Sequence, residues 1–491
     1  MELSVPRPQR YHAILSYTGL ILLLAGLVVL TPLMALAAWP GEWVHSPAFL
    51  LPGLALCGAG AWLWRGFRPR ATVSLTLQEG GVVVLLSWVL ACLVSAVPFM
   101  AVSRLSFTQA VFESVSGWTT TGLSVVDVTR APRVILLWRS IMQLAGGAGL
   151  AILMLAALAG PLGSGLYAAE RSEQLVPHVR RSAGLVMGIY SGYALVGVLA
   201  YWLAGMTPFD AVNHSFAAVS TGGFATHPES IGYWDSPAIE GITIFLMVLG
   251  NLNFLTAYVL VRGKLRTVCR NGEVRLMGVL IPVCSVLLFA LVCRGLCPTL
   301  GKSVRVAIFE TVTALTTTGF STVTYANWAP LGILVLIVLM LIGGGACSTA
   351  GGIKQYRVYL LFKTLVWEVR RAFLPRTAVV EHYVWQGERK DFISDQRVRQ
   401  VATFVFFYLT TYVVGAGVLA ACGCGLKESL FEFASALGTV GLSVGVTAPD
   451  APSLVLWTET FGMFLGRLEF FIIFTAVIKL ARDASGALRA R

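Results

Sequence analysis

Apolar residues in this chain fall into blocks of about twenty, the length a helix needs to cross a hydrocarbon core of about 30 Å. Unbroken blocks cover 13–39, 47–64, 79–103, 182–206, 276–293 and 400–422. Four longer blocks are interrupted. Segment 134–160 contains Arg139 and Gln143, and segment 237–261 contains Glu240, Asn251 and Asn253. Segment 331–363 carries a glycine-rich break, and segment 453–480 contains Glu459, Arg467 and Glu469. The pattern predicts an all-α integral membrane fold with about ten spans. The first block runs on to Trp39 without a small-residue cleavage site, so it reads as a spanning helix rather than a signal peptide.

Between the spans lies a second pattern, a repeat. It reads Phe112-Glu113-Ser-Val-Ser-Gly-Trp-Thr-Thr-Thr-Gly122-Leu first and Phe309-Glu310-Thr-Val-Thr-Ala-Leu-Thr-Thr-Thr-Gly319-Phe third. The fourth copy is Phe431-Glu432-Phe-Ala-Ser-Ala-Leu-Gly-Thr-Val-Gly441-Leu. The second is looser, His214-Ser-Phe-Ala-Ala-Val-Ser-Thr-Gly-Gly223-Phe. In each, a polar residue precedes the glycine by nine positions and a threonine precedes it by two: Thr120, Thr221, Thr317 and Thr439. Each unit is predicted as span, short helix, Thr-x-Gly loop, span. The short helices are expected at 106–118, 208–219, 303–315 and 427–437. They are too short to cross a bilayer. They can enter and return as re-entrant loops if protein or water shields their backbone. The units divide the chain into an N-terminal two-helix domain (1–70) and four repeats: 71–165, 166–265, 266–385 and 386–491.

Composition agrees. Of 491 residues, 56% are hydrophobic and 12% charged, and mean hydropathy is +0.77. Soluble domains carry about 25% charged residues. With the N-terminus inside, most Lys and Arg fall on the inner side, as the positive-inside tendency requires. The net charge of +12 is thus a topology signal, and a nucleic-acid partner is not expected. Nine scattered cysteines match neither a metal site nor a disulfide framework.

The repeats carry a chemistry. Backbone carbonyls can replace the water of a dehydrating cation. Glycine permits the unusual φ/ψ that turns successive carbonyls toward one axis. The β-branched threonine is expected to hold its neighbours extended and to offer a hydroxyl. The negative ends of four short helices favour a cation. No carboxylate lies in the Thr-x-Gly steps, which argues for a monovalent ion over a divalent one. One such stretch alone would be read as a tight helix–helix contact; four in register favour a pore. Glu113, Glu310 and Glu432 are expected to brace the loops from behind. Asp127 and His227 are placed near the outer mouth, and Asn251 and Asn253 are expected to bond between helices.

Ser116-Gly-Trp-Thr-Thr-Thr-Gly122, Thr221-Gly-Gly-Phe-Ala-Thr-His227, Thr317-Thr-Gly-Phe320, Gly343-Gly-Gly-Ala-Cys-Ser-Thr-Ala-Gly-Gly352 and Gly466-Arg-Leu-Glu469 resemble the Trk/Ktr/HKT superfamily of cation transporters. The likeness covers nearly the whole chain and is greatest to the bacterial TrkH/TrkG potassium-uptake branch, whose extra leading helices match 13–39 and 47–64. The resemblance implies a pseudo-fourfold potassium filter at Thr120, Thr121, Gly122, Thr221, Gly222, Gly223, Thr317, Thr318, Gly319, Thr439, Val440 and Gly441. Glycine rather than serine at Gly122 favours potassium over sodium. It further implies a homodimer in the bacterial cytoplasmic membrane, with both termini cytoplasmic, and a TrkA-like regulatory subunit that binds nucleotides. This chain has no Gly-x-Gly-x-x-Gly after a strand, so nucleotide sensing falls to that partner. His214 and Gly222 depart from the pattern of the other repeats, as does Val440, which predicts an asymmetric filter.

Five of the ten residues in 343–352 are glycine. Unwound backbone here, below the filter, would obstruct the path, so Gly345, Ala346, Cys347, Ser348, Thr349 and Ala350 are expected to form a movable gate. The competing reading is a rigid packing kink. Arg467, a charge inside a span, is either an electrostatic barrier below the filter or an anchor for loop carbonyls. Other classes fit less well. A sodium-conducting or sodium-coupled relative stays open. A polytopic membrane enzyme should show a nucleophile, metal cluster or clustered acids. A carrier of inverted repeats should divide into opposed halves, whereas these four repeats share one orientation.

Overall fold

The computed structural model describes residues 7–68, 75–149, 179–296, 298–375, 381–386 and 389–489. Among these, six helices are long and apolar enough to cross a membrane: Gln9–Ala38, Pro47–Gly66, Gln78–Val102, Gly184–Leu203, Gly272–Leu296 and Asp395–Ala421. The fold is nearly all helical; among the described residues the one strand pair is a hairpin of Tyr383–Gln386 with Arg389–Phe392.

The first two helices pack through glycine. A side chain at Gly19 would meet Gly60 O at 2.7 Å, and one at Gly26 would meet Gly53 O at 2.8 Å. Small residues let helices approach closely where burial against lipid offers little drive. Two polar ties bind this pair to the rest. Arg10 bonds Glu79 at 3.0 Å. Glu42 accepts the amides of Arg133 and Val134 at 3.0 and 2.9 Å, which caps the helix Arg133–Ala148.

The expected short helices are present as Phe107–Trp118, Pro208–Val219, Leu300–Leu315 and Leu426–Leu437. Ser106, Thr207 and Thr299 cap the first three by accepting an amide three residues on. Each short helix is followed by a loop and then by a helix that breaks partway. Arg133–Ala148 ends at Gly149, and the rest of segment 134–160 lies outside the described residues. Pro237–Asn251 turns by 116° into Phe254–Val261, where the Asn253 side chain accepts the Leu255 amide. Pro330–Ile342 stops at Gly343. Ser453–Leu468 turns by 100° at Glu469, whose φ of 59° is left-handed. In the second, third and fourth repeats the second helix is therefore bent or interrupted rather than straight. Asn253 is a helix cap rather than an interhelical contact.

Candidate functional site

The four predicted loops meet. A Cβ built on Gly122 would fall on the carbonyl oxygen of Gly222, and one on Gly223 on that of Thr318. One on Gly319 would fall on Val440 O, and one on Gly441 on Thr121 O. Each glycine thus lies against the carbonyl that precedes the next repeat's glycine, and the series closes on itself. All four have positive φ, from 74° at Gly223 to 98° at Gly441. Only glycine fits, both for its conformation and for the lack of room. All four open to one cavity of about 540 Å3, which Asp127, Arg139 and His227 also line. At its rim, the hydroxyl and amide of Thr129 hold the exposed Asp127 carboxyl below its ordinary range.

The threonines are not extended. Thr120, Thr221, Thr317 and Thr439 have φ of 56°, 51°, 52° and 49°. Each closes its short helix with the same two bonds. In the first repeat Thr120 N donates to Gly117 O at 3.1 Å and Thr121 N to Ser116 O at 2.9 Å. The same spacing recurs at Thr221/Gly222, Thr317/Thr318 and Thr439/Val440. This is the Schellman stop, which normally places glycine at the left-handed position. A β-branched residue there is strained by about 1–3 kcal/mol. The strain recurs four times where the hydroxyl is useful. Thr317 Oγ1 accepts the Gly351 amide at 2.7 Å, and Thr221 Oγ1 lies 3.1 Å from Thr349 Oγ1. Those of Thr120 and Thr439 are buried without a partner among the described residues.

Behind the loops, the acids act as expected. Glu113, Glu310 and Glu432 each accept the amide three residues past their glycine: Val125 at 3.0 Å, Thr322 at 2.9 Å and Val444 at 3.0 Å. A hydroxyl six residues before the glycine accepts its amide, from Ser116, Thr313 and Ser435. The second repeat has neither device, because His214 and Ala217 replace them. There Asp210 accepts the Thr226 hydroxyl at 2.6 Å. Gln143, from the preceding repeat, donates to Gly222 O and accepts the Phe224 amide at 3.2 Å. Buried His214 instead stacks on Phe320 of the third repeat.

The segment 343–354 crosses beneath the threonines. Besides the two threonine contacts, Thr349 Oγ1 donates to Gly250 O at 2.9 Å, and the Gly345 amide meets the Asn251 side chain at 3.1 Å. The Ala346 amide donates to Glu273 at 2.7 Å, and Ser348 Oγ donates to Gly345 O at 2.7 Å. Cys347 accepts the Phe254 amide at 3.3 Å and has φ 51°. The Lys354 ammonium donates to Ala350 O. Arg467 donates to Thr349 O at 2.7 Å and also to Gly146 O and Gly147 O. It therefore ties the segment to the break in the first repeat, while Glu469 pairs with Arg357 at 2.9 Å.

A family model described as TrkH, cation transport protein, matches residues 45–486. The chain belongs to the TrkH family of cation transport proteins. It is 31% identical to the Trk system potassium uptake protein TrkH of Escherichia coli over 94% of this chain and 97% of that one. It is also 31% identical to an uncharacterized cation transporter of Methanocaldococcus jannaschii, over 86% of each. The crystal structure of the potassium transporter TrkH from Vibrio parahaemolyticus superposes with a TM-score of 0.80 at 28% identity, covering 96% of this chain and 98% of that one. As a TrkH-family chain this is a multi-pass membrane protein and a transporter rather than an enzyme.

The family motifs do not point to Asp210, Gln143, Glu273 or Arg139. Arg139 is buried and bonds Glu113 at 2.8 Å, with its guanidinium 3.9 Å from the Phe224 ring centre. Removing one member of a buried pair strands the other's charge, at roughly 3 kcal/mol or more. Arg139→Met is expected to lower the thermal unfolding midpoint, and adding Glu113→Gln is expected to recover part of the loss.

Proposed function

We propose that the protein takes up potassium across a bacterial cytoplasmic membrane, through a filter formed by the four Thr-x-Gly loops. The observation that carries this reading is the closed ring in which each glycine abuts the carbonyl preceding the next. Four uncharged carbonyls around one axis, at the negative ends of four short helices, suit a monovalent cation. The names of the relatives point to potassium. The ion is cargo, held in turn by the carbonyls at Thr121, Gly222, Thr318 and Val440 and at the glycines. The buried hydroxyls of Thr120 and Thr439 supply further oxygen below. The four repeats, with the N-terminal pair outside them, form the domains.

Segment 345–350 is the gate in this reading, and Arg467 holds it closed. Its bonds to Thr221, to the bend at Gly250 and Asn251 and to Arg467 of the fourth repeat favour a latch over a passive kink. The chain works as a homodimer with a TrkA-like nucleotide-binding subunit on the side of both termini. Sodium conduction is the competing reading. Rubidium and sodium uptake into vesicles of the purified protein separates the two: rubidium should dominate, and equal or greater sodium uptake would refute the potassium reading. Gln143→Leu releases the second loop at Gly222 and Phe224, so it is expected to lower the rubidium-to-sodium ratio several-fold without abolishing uptake.

A further inference from the structure

On the inner side, beside the loop 345–350, lies a second cavity of about 660 Å3. Lys354, Arg357, Arg397, Arg399 and Arg467 line it, against the single carboxylate of Glu469. Its charge (five cations, one anion) repels a permeating cation and attracts an anion. The partners of these cations differ. Arg357 holds Glu469 at 2.9 Å and lies 3.8 Å from the Phe404 ring centre. Arg397 and Arg399 have no carboxylate within ion-pair distance among the described residues. Both stand near the start of the helix Asp395–Ala421, which is long and apolar enough to span a membrane; a basic residue at the end of such a helix meets lipid headgroups.

The other end of the cavity is apolar, with Val401, Phe404, Phe471 and Ile472. Gln400, Thr403 and Phe471 line the cavity and are exposed at the protein surface, and Thr403 lies within the helix Asp395–Ala421, so the cavity opens beside that helix. Trp88 lines it too, and its buried indole N–H has no acceptor among the described residues. A cationic end at the interface, an apolar end toward the hydrocarbon and a lateral opening match an amphiphile with an anionic head.

We propose that this cavity binds an anionic phospholipid of the cytoplasmic leaflet and that the bound lipid promotes opening of the adjoining loop. The phosphate sits between Arg397 and Arg399. It draws Lys354 and Arg467 from the carbonyls of Ala350 and Thr349, the contacts that hold the loop under the threonines. The inference rests on the gate reading above for its effect on flux, but not for the binding itself.

The test uses the full-length purified protein and Arg397→Gln/Arg399→Gln, neither of which touches the loop. Retention of phosphatidylglycerol is measured by native mass spectrometry. Rubidium uptake is measured in phosphatidylcholine vesicles with and without phosphatidylglycerol. The wild type should retain the lipid and take up rubidium several-fold faster with it. The double variant should bind about 30-fold more weakly, at roughly 1 kcal/mol per basic residue. Its uptake should match the wild type in phosphatidylcholine and gain nothing from phosphatidylglycerol. Equal retention by both proteins overturns the proposal. So does displacement of the lipid by an equal concentration of inorganic phosphate, which would mark a small-anion site. Absence of rubidium uptake in every vesicle would sink the transport reading, while retention would still decide the lipid site.

Discussion

Gly319→Ala is expected to abolish rubidium uptake, by about 100-fold or more, in protein that still reaches the membrane. A methyl group here would fall on Val440 O and come within 2.9 Å of Gly441 Cα. Both atoms belong to a backbone already fixed by the cap bonds at Thr439 and Val440. The φ of 87° adds strain that alanine cannot relieve. The ring must therefore open at the junction of the third and fourth repeats, and a carbonyl ligand leaves its place. A loss of 100-fold corresponds to roughly 2.7 kcal/mol, within what one displaced ligand and one strained residue supply together. Gly58→Ala is the control, since nothing lies within 4 Å of its Cβ position. Near-normal uptake by Gly319→Ala would mean that the ring is not the conducting path.

The second large effect is expected in the opposite direction. Deleting 345–350 should raise uptake, and so should Arg467→Ala. The deletion removes Thr349 and its bond to Thr221, and it detaches Gly351, whose amide bonds Thr317, from the segment that crosses beneath the threonines. Arg467→Ala cuts the ties to Thr349, Gly146 and Gly147. It also removes a positive charge beside the path. A charge about 8 Å from a passing cation contributes roughly 2 kcal/mol at an effective dielectric of about 20, or about 30-fold in rate. Arg467→Lys separates the two effects, because lysine keeps the charge but loses the planar fork that reaches two loops. Wild-type uptake in Arg467→Lys assigns the barrier to charge, and alanine-like uptake assigns it to anchoring. Unchanged or lower uptake after the deletion, in well-folded protein, would leave the segment as a packing kink.

The repeat was legible because its signals are local. A glutamate stands nine residues before the glycine in three of the four repeats, and a threonine two before it in all four. The short helices consequently emerged within a few residues of their expected bounds. The threonine conformation was not legible. β-branching favours extended backbone, yet the helix stop imposes a left-handed residue at each of the four positions. The supports of the second loop were hidden for another reason. Gln143 and Asp210 replace a glutamate and a hydroxyl from different places in the chain, and only tertiary structure brings them to Gly222 and Thr226. Asn251 and Glu273 reach the 345–350 segment in the same way, from outside its own helix. The bends at Asn253 and Glu469 lay within segments whose hydropathy suggested passage through the membrane. Hydropathy records how much apolar surface a segment carries, but not where its helix turns.

In the proposed mechanism the ring of Gly122, Gly223, Gly319 and Gly441 holds the transported ion. Anomalous diffraction from crystals of the protein grown in rubidium tests it most directly. The expected result is a peak on the axis of the ring, within ligand distance of the carbonyls of Thr121, Gly222, Thr318 and Val440. An empty ring, with rubidium bound elsewhere in the membrane region, would contradict it.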